Sequence, residues 1–260
     1  IQESFQSLDK KQNQLIRFFQ RINGALPFDG NSMEVYQDGY SMLQALLSCI
    51  KSARHHIHVE FYIFEDDAVG RLVKDALIDK AREGVEIRVL YDDVGSWKVS
   101  HLFHDEMRES GIEVRGFLKV RFPRFARKVN YRNHRKMVVI DGVIGFVGGM
   151  NIAERYLKGV PWGVWKDIMM KVEGKAVYGI QTAFLTDWYA TDHSLITSSV
   201  YFPKMNHEGA SLMQVVTSDP VGNWRDIMQG LLLAITSAQK YIYVQTPYLL
   251  PTEPILVALK

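Results

Sequence analysis

Asn133-His134-Arg135-Lys136-Met137-Val138-Val139-Ile140-Asp141, followed after Gly142 by Val143-Ile144-Gly145-Phe146-Val147-Gly148-Gly149-Met150-Asn151, decides how this chain is read. Val138, Val139 and Ile140 have the β-branched enrichment of a buried strand. Side chains alternate along a strand, so His134 and Lys136 point to the same face. The first offers an imidazole that can serve as nucleophile or proton carrier, and the second a fixed ammonium beside it. Asp141 closes the strand, Gly142 turns the chain, and residues 143–147 run back as a second apolar strand. Gly148 and Gly149 let backbone approach whatever lies between the two strands, and Asn151 adds an amide. Imidazole, ammonium, amide and bare backbone N–H groups together suit a phosphate ester.

Outward from this hairpin the chain alternates. Residues 3–23 read as a helix with Phe5, Leu8, Leu15, Phe18, Phe19 and Ile22 in an apolar stripe, expected to dock on the main domain. Asp38-Gly39 leads into a helix over 41–54, a strand over 56–64 and a helix over 68–83. Strand 85–91, helix 100–110 and strand 112–117 precede the hairpin, and strand 167–173 and helix 175–190 follow it. This order predicts an α/β fold, a mixed sheet sandwiched by helices.

After a Ser/Thr/Asn-rich connection at 191–210 the pattern restarts. Shifted by 185 positions, Gln44, Leu46, Leu47, Ile50, Ser52, Ala53, Ile57 and Val59 fall on Gln229, Leu231, Leu232, Ile235, Ser237, Ala238, Ile242 and Val244. These identities in one register indicate an internal duplication whose second repeat is truncated. Residues 241–245 then answer to the first strand of the sheet. The expected division is an N-terminal helix at 1–29, a catalytic domain at 30–205 and the opening of a second one at 206–260.

Composition sets limits on this reading. A chain of 260 residues, 47% apolar and 23% charged, has the makings of a substantial core. The net charge of +2 is nearly balanced, so an anionic partner must be read from local patches. The single cysteine, Cys49, excludes an internal disulfide and fits a reducing compartment. No run of about 18 apolar residues is present to span a bilayer, and no signal peptide opens the chain.

The spacing H-x-K-x4-D-x6-G-G-x-N resembles the signature of the phospholipase D superfamily, whose members break phosphodiesters through a phosphohistidine. The longer strings 130–136 (NYRNHRK) and 145–152 (GFVGGMNI) resemble bacterial cardiolipin synthases in particular. The resemblance implies a phospholipase D-like fold in which His134 attacks phosphorus while Lys136 and Asn151 hold the non-bridging oxygens. Gly149 would bring its backbone against the substrate. Asp167, in Trp165-Lys166-Asp167, would orient the imidazole; its rival reading is a cap at a strand terminus. Asp141 belongs to the motif, but its place at the strand end suits hydrogen bonds that fix the turn. Glu60 and Tyr62, with Gln245 and Tyr248 at the equivalent strand end of the second repeat, could line the pocket, although core packing explains the tyrosines nearly as well. Such synthases commonly have a histidine where this chain has Met169.

No metal or other cofactor is called for, because His134 and Lys136 supply what a metal would. His55, His56 and His58 are split across both strand faces by their spacing and lack cysteine partners. From Val114 to Ile140 there are nine lysines or arginines and no carboxylate, interleaved with Phe117, Phe122, Pro123, Phe125 and Tyr131. That composition suits an anionic membrane interface or nucleic acid; the resemblance favours lipid.

The expected activity is therefore a phosphatidyltransferase that joins two phosphatidylglycerol molecules into cardiolipin with release of glycerol. A phosphodiesterase using water on lipid or nucleic acid, or an inactive lipid-binding module, are the alternatives. The place of action implied is the bacterial cell membrane, on its cytoplasmic side. Cardiolipin synthases usually carry hydrophobic segments ahead of the catalytic part, which makes Ile1 read as a cut point. The repeat offset places a second histidine motif at roughly residue 319, so a missing half or a second chain would complete the site.

Overall fold

The computed structural model describes residues 10–117, 132–161, 163–218, 226–246 and 248–260. They form two compact units, Gly30–Ser211 and a smaller one joining Ile1–Asp29 to Leu212–Lys260. In chain order the elements are α1 (Lys10–Asn23), β1 (Pro27–Tyr36), α2 (Gly39–Ser52), β2 (His56–Phe61), α3 (Ala68–Arg82), β3 (Glu86–Asp92), α4 (His101–Glu109) and β4 (Glu113–Phe117). There follow β5 (Lys136–Ile140), β6 (Ile144–Gly148), α5 (Arg155–Lys158), β7 (Met169–Glu173), α6 (Val177–Asp192), β8 (Ser211–Gln214), α7 (Asp226–Ser237) and α8 (Glu253–Ala258).

Three helices of the larger unit begin where a side chain satisfies orphan N–H groups. Asp38 accepts from Ser41 N at 2.8 Å, Asp67 from Gly70 N at 2.9 Å and Ser100 from Phe103 N at 3.2 Å. The strands of this unit lie in the order β4-β3-β2-β5-β6-β7-β1. Pairs β2–β3 and β3–β4 are parallel, and β2–β5, β5–β6, β6–β7 and β7–β1 are antiparallel. The sheet is thus mixed, with the motif hairpin at its middle.

Every residue of β2 and β5 is buried, because helices cover both faces. On one face Ile57, Val59, Phe61, Val138 and Ile140 join Met42, Leu46 and Ile50 of α2 and Val73 and Leu77 of α3 in a single core. Burying each such side chain contributes about 1.5–3 kcal/mol. On the other face His58 stacks on Phe184 of α6, with ring centres 4.4 Å apart, and its Nδ1 lies 2.7 Å from Gln181 Nε2. Contrary to the expected split, the rings of His55 and His56 meet, Nδ1 to Nδ1 at 2.9 Å. No cluster able to hold a metal ion occurs among the described residues.

The long strand β1 has no counterpart in the sequence reading. Its sequence, PFDGNSMEVY, has little strand propensity and no clean alternation. Tertiary contacts override that preference: Ser32 to Tyr36 pair in register with β7, and buried Asn31 accepts from Ala176 N at 2.8 Å.

In the smaller unit α1 packs on α7, so the helix expected to dock on the main domain finds its partner here instead. The Phe19 ring lies so close to α7 that a Cβ at Gly230 would meet its Cζ at 1.9 Å. Helix α7 ends at Ser237, the position that the 185-residue offset equates with Ser52, the end of α2. Residues 241–245, expected as a strand, are not one, and Tyr241, Tyr243 and Val244 are exposed. No neighbouring strand among the described residues pairs with them, and an apolar run without a ladder cannot satisfy its backbone as a strand. No helix among the described residues is long and apolar enough to cross a membrane.

Candidate active site

Residues 132–135 lead into β5 and bring His134 to the strand's open end, where the residue keeps access to solvent while the Tyr62 ring covers part of its imidazole. Two residues on, Lys136 is only 3% exposed. Its ammonium donates to the His134 carbonyl at 2.5 Å and lies 5.1 Å from the centre of the Tyr62 ring. Tyr62, just past β2, also sets its ring centre 4.6 Å from that of His134. Pairing of Phe61 with Lys136 across β2 and β5 is what brings these three together.

The electrostatics follow from burial. Burial, and then the Lys136 charge, lower the His134 pKa, while Asp92 and Asp167 act in the opposite direction. A depressed pKa keeps the imidazole neutral, as a nucleophile requires. Burial brings the Lys136 ammonium down to about 8 against the same two carboxylates.

Asp167 reaches both groups through its field. Its Oδ1 accepts from Ile168 N at 2.8 Å. The space it occupies exists because residue 149 has no side chain: a Cβ there would stand 2.0 Å from Asp167 Oδ1. Gly149 N itself donates to Ile168 O at 2.8 Å, so its backbone ties β6 to the chain before β7 and is not turned to a substrate.

Other candidates take different places. Asn151 is buried; its Oδ1 accepts from Ile63 N at 3.0 Å and its Nδ2 donates to the Tyr156 hydroxyl at 2.6 Å. It braces the backbone beyond Tyr62, leaving one N–H for anything else. Asp141, with φ of 52°, lies at the far end of β5 from His134. There it accepts from Arg54 N (2.9 Å), His55 N (2.7 Å) and His56 N (3.0 Å), which locks the hairpin turn to the start of β2. Glu60 departs from its expected role as pocket lining. It alternates to the face under α6, is buried, and accepts from the Asn133 amide. Gln245 and Tyr248 belong to the smaller unit, where Tyr248 is 69% exposed. Met169 is buried in the core. Most of the basic aromatic stretch, from Lys119 and Arg121 to Tyr131, lies outside the described residues.

Two carboxylates escaped the sequence reading. Asp92, at the end of β3, is buried and accepts from Val94 N and Gly95 N at 2.9 Å and from Asn133 N at 3.1 Å, with Arg132 Nη1 at 3.4 Å. Asp187, in α6, accepts from Asn133 Nδ2 at 2.9 Å and from Arg135. A carboxylate at the carboxyl end of a buried strand, as in Tyr91-Asp92-Asp93, was a usable signal for the first. Nothing in the helical pattern marked the second.

A mixed sheet whose central strand presents H-x-K at its open end, backed by a glycine that admits an aspartate, defines a phospholipase D-like domain. The family model described as "Cardiolipin synthase, PLD-like domain" matches residues 46–188, and the chain belongs to that family. It is 41% identical to the major cardiolipin synthase of Bacillus subtilis over 92% of this chain and 50% of that protein. It is 40% identical to the cardiolipin synthase of Alkalihalophilus pseudofirmus over 100% of this chain and 52% of that protein. The chain thus spans about half the length of the relatives it matches. Among solved structures, phosphatidylserine synthase of Haemophilus influenzae shares the fold, with a TM-score of 0.56 at 14% identity, over 86% of this chain and 57% of that one.

Proposed function

We propose that the protein to which this chain belongs is a phosphatidyltransferase that makes cardiolipin from two phosphatidylglycerols, and that this chain supplies its attacking histidine. The observation that carries the reading is the placement of solvent-accessible His134 beside the buried ammonium of Lys136, both against the Tyr62 ring; the family membership supports the substrate class.

In the first step a ring nitrogen of His134 attacks the phosphorus of one phosphatidylglycerol. An N–P bond forms, the P–O bond to the glycerol headgroup breaks, and glycerol leaves with a proton from a general acid. Lys136 neutralises the non-bridging oxygens as charge gathers on them. In the second step the headgroup hydroxyl of another phosphatidylglycerol attacks the phosphohistidine, giving its proton back to the deprotonated general acid; a P–O bond forms, the P–N bond breaks, and His134 is released with cardiolipin. Asp167 and Asp92 favour the imidazolium form as the ring gains charge. The general acid is the partner histidine expected from a second half or a second chain. The basic residues of the intervening stretch, Lys119, Arg121, Arg124, Arg127 and Lys128, would hold the anionic lipid surface.

Incubation with phosphatidylglycerol vesicles, with products resolved by mass, tests the reaction: cardiolipin and glycerol are expected. Phosphatidic acid alone would make the protein a hydrolase, and no product a binding module. Trapped label should sit on His134 as an acid-labile phosphoramidate and vanish in His134→Ala.

A further inference from the structure

His134 stands outside any strand, yet the residues on either side of it are both fastened to one side chain on α6. Asn133 Nδ2 donates to Asp187 Oδ2 at 2.9 Å, and Arg135 Nη1 forms an ion pair with the same oxygen. Asn133 Oδ1 in turn accepts from Arg135 N at 3.0 Å, and Asn133 N donates to Asp92 Oδ2 at 3.1 Å. The Asn133 amide also donates to Glu60 Oε1, so the Glu60 and Asp187 carboxyl groups face one donor inside the protein.

We propose that Asp187 is a positioning residue for His134, gripping Asn133 and Arg135 so that the imidazole between them keeps one orientation. The inference deepens the function proposed above and rests on His134 as the attacking group.

The chemistry of the cluster supports this division of labour. Glu60 Oε2 is buried without a hydrogen-bond partner, and burial together with the negative Asp187 drives the Glu60 carboxyl well above its ordinary range. A proton on Glu60 lets it donate to the Asp187 carboxylate and leaves one negative charge on the pair, answered by Arg135. Asp187 therefore holds the segment by charge, and neutral Glu60 fills the space beside it. An unpaired buried charge is costly, so the segment 133–135 has one favourable seat.

The test reads His134 directly, in this chain labelled with 15N-histidine. Its ring signals are identified by their loss in His134→Gln. The wild-type chain should give one sharp set with a single midpoint. Asp187→Asn should split or broaden that set and displace the midpoint, while Glu60→Gln, which imitates the protonated group, should move it much less. In the turnover assay Asp187→Asn should cost about 10²-fold in rate, the order expected for a displacement of about 1 Å. Unchanged His134 signals in Asp187→Asn, or equal changes in both variants, would overturn the proposal. If Asp187→Asn does not fold, Arg135→Gln removes one grip from the other side, and unmoved His134 signals in it are equally decisive against. Signals that move in a protein making no cardiolipin uphold the positioning and count against the reaction alone.

Discussion

Gly149 and Asp167 are fitted to each other: a Cβ on residue 149 would stand 2.0 Å from Asp167 Oδ1 and 2.7 Å from its Cγ. A single methyl group must therefore displace the carboxylate whose field acts on His134 and Lys136. Gly149→Ala should fold, since Gly149 is not among the positive-φ glycines, yet lose about 10²-fold in turnover. Circular dichroism beside a cardiolipin assay checks it, and full activity would mean that the aspartate's placement is immaterial.

Asp141 should behave oppositely. It accepts from three backbone N–H groups at the foot of the hairpin, two of them exposed and that of His56 part-buried, and losing hydrogen bonds to a charged acceptor costs about 1–3 kcal/mol. Asp141→Ala should lower the urea midpoint while turnover per folded molecule stays the same; Asp141→Asn, which keeps an acceptor and tolerates the left-handed backbone at φ 52°, should lose less.

Rate should depend on pH from both sides. With His134 as the proposed nucleophile only its neutral form can attack, and its pKa is lowered, so the acid limb of kcat/KM should lie below the ordinary histidine range. Lys136 loses its proton near 8, so the alkaline limb should fall through about pH 8. In Lys136→Arg the guanidinium stays charged, and any residual activity should show no alkaline limb there.

Stability should fail in mild acid. Burial holds His56 and His104 at about 4 and His58 well below the usual 6.5. The unfolded chain binds protons at these sites before the folded one does, so their contribution is whole above pH 6.5 and drains away toward pH 4. Each site gives a slope of up to about 1.4 kcal/mol per pH unit. Urea midpoints at a series of pH values measure this, and His104→Phe, which retains the stack on Tyr91, should flatten the curve.

Much of the fold was legible because local and global signals agree in the larger unit. Aspartate or serine stands ahead of α2, α3 and α4, and an apolar run marks each central strand. Where long-range pairing decides, the sequence was mute. Strand β1 exists through its register with β7, against the preferences of Gly30 and Asn31. Residues 241–245 have the apolar look of a strand and no ladder to join. At the site, spacing named His134, Lys136 and Asp167; the first two are neighbours, and the charge of the third acts on both. It misplaced Glu60, because which face of β2 meets α6 is a tertiary fact. It missed Asp187 because its partners, Asn133 and Arg135, lie over fifty residues away.

Strand β5 lies between β2 and β6, paired along its length on both edges and buried on both faces. Its amides should be the last to exchange with deuterium, since they open only when the sheet comes apart. The His134 imidazole thus stands two residues ahead of what should be the slowest-opening segment of the larger unit. Peripheral elements can fray and re-form many times without disturbing the footing of His134, and an event that frees the His134 segment from β5 comes close to unfolding the domain.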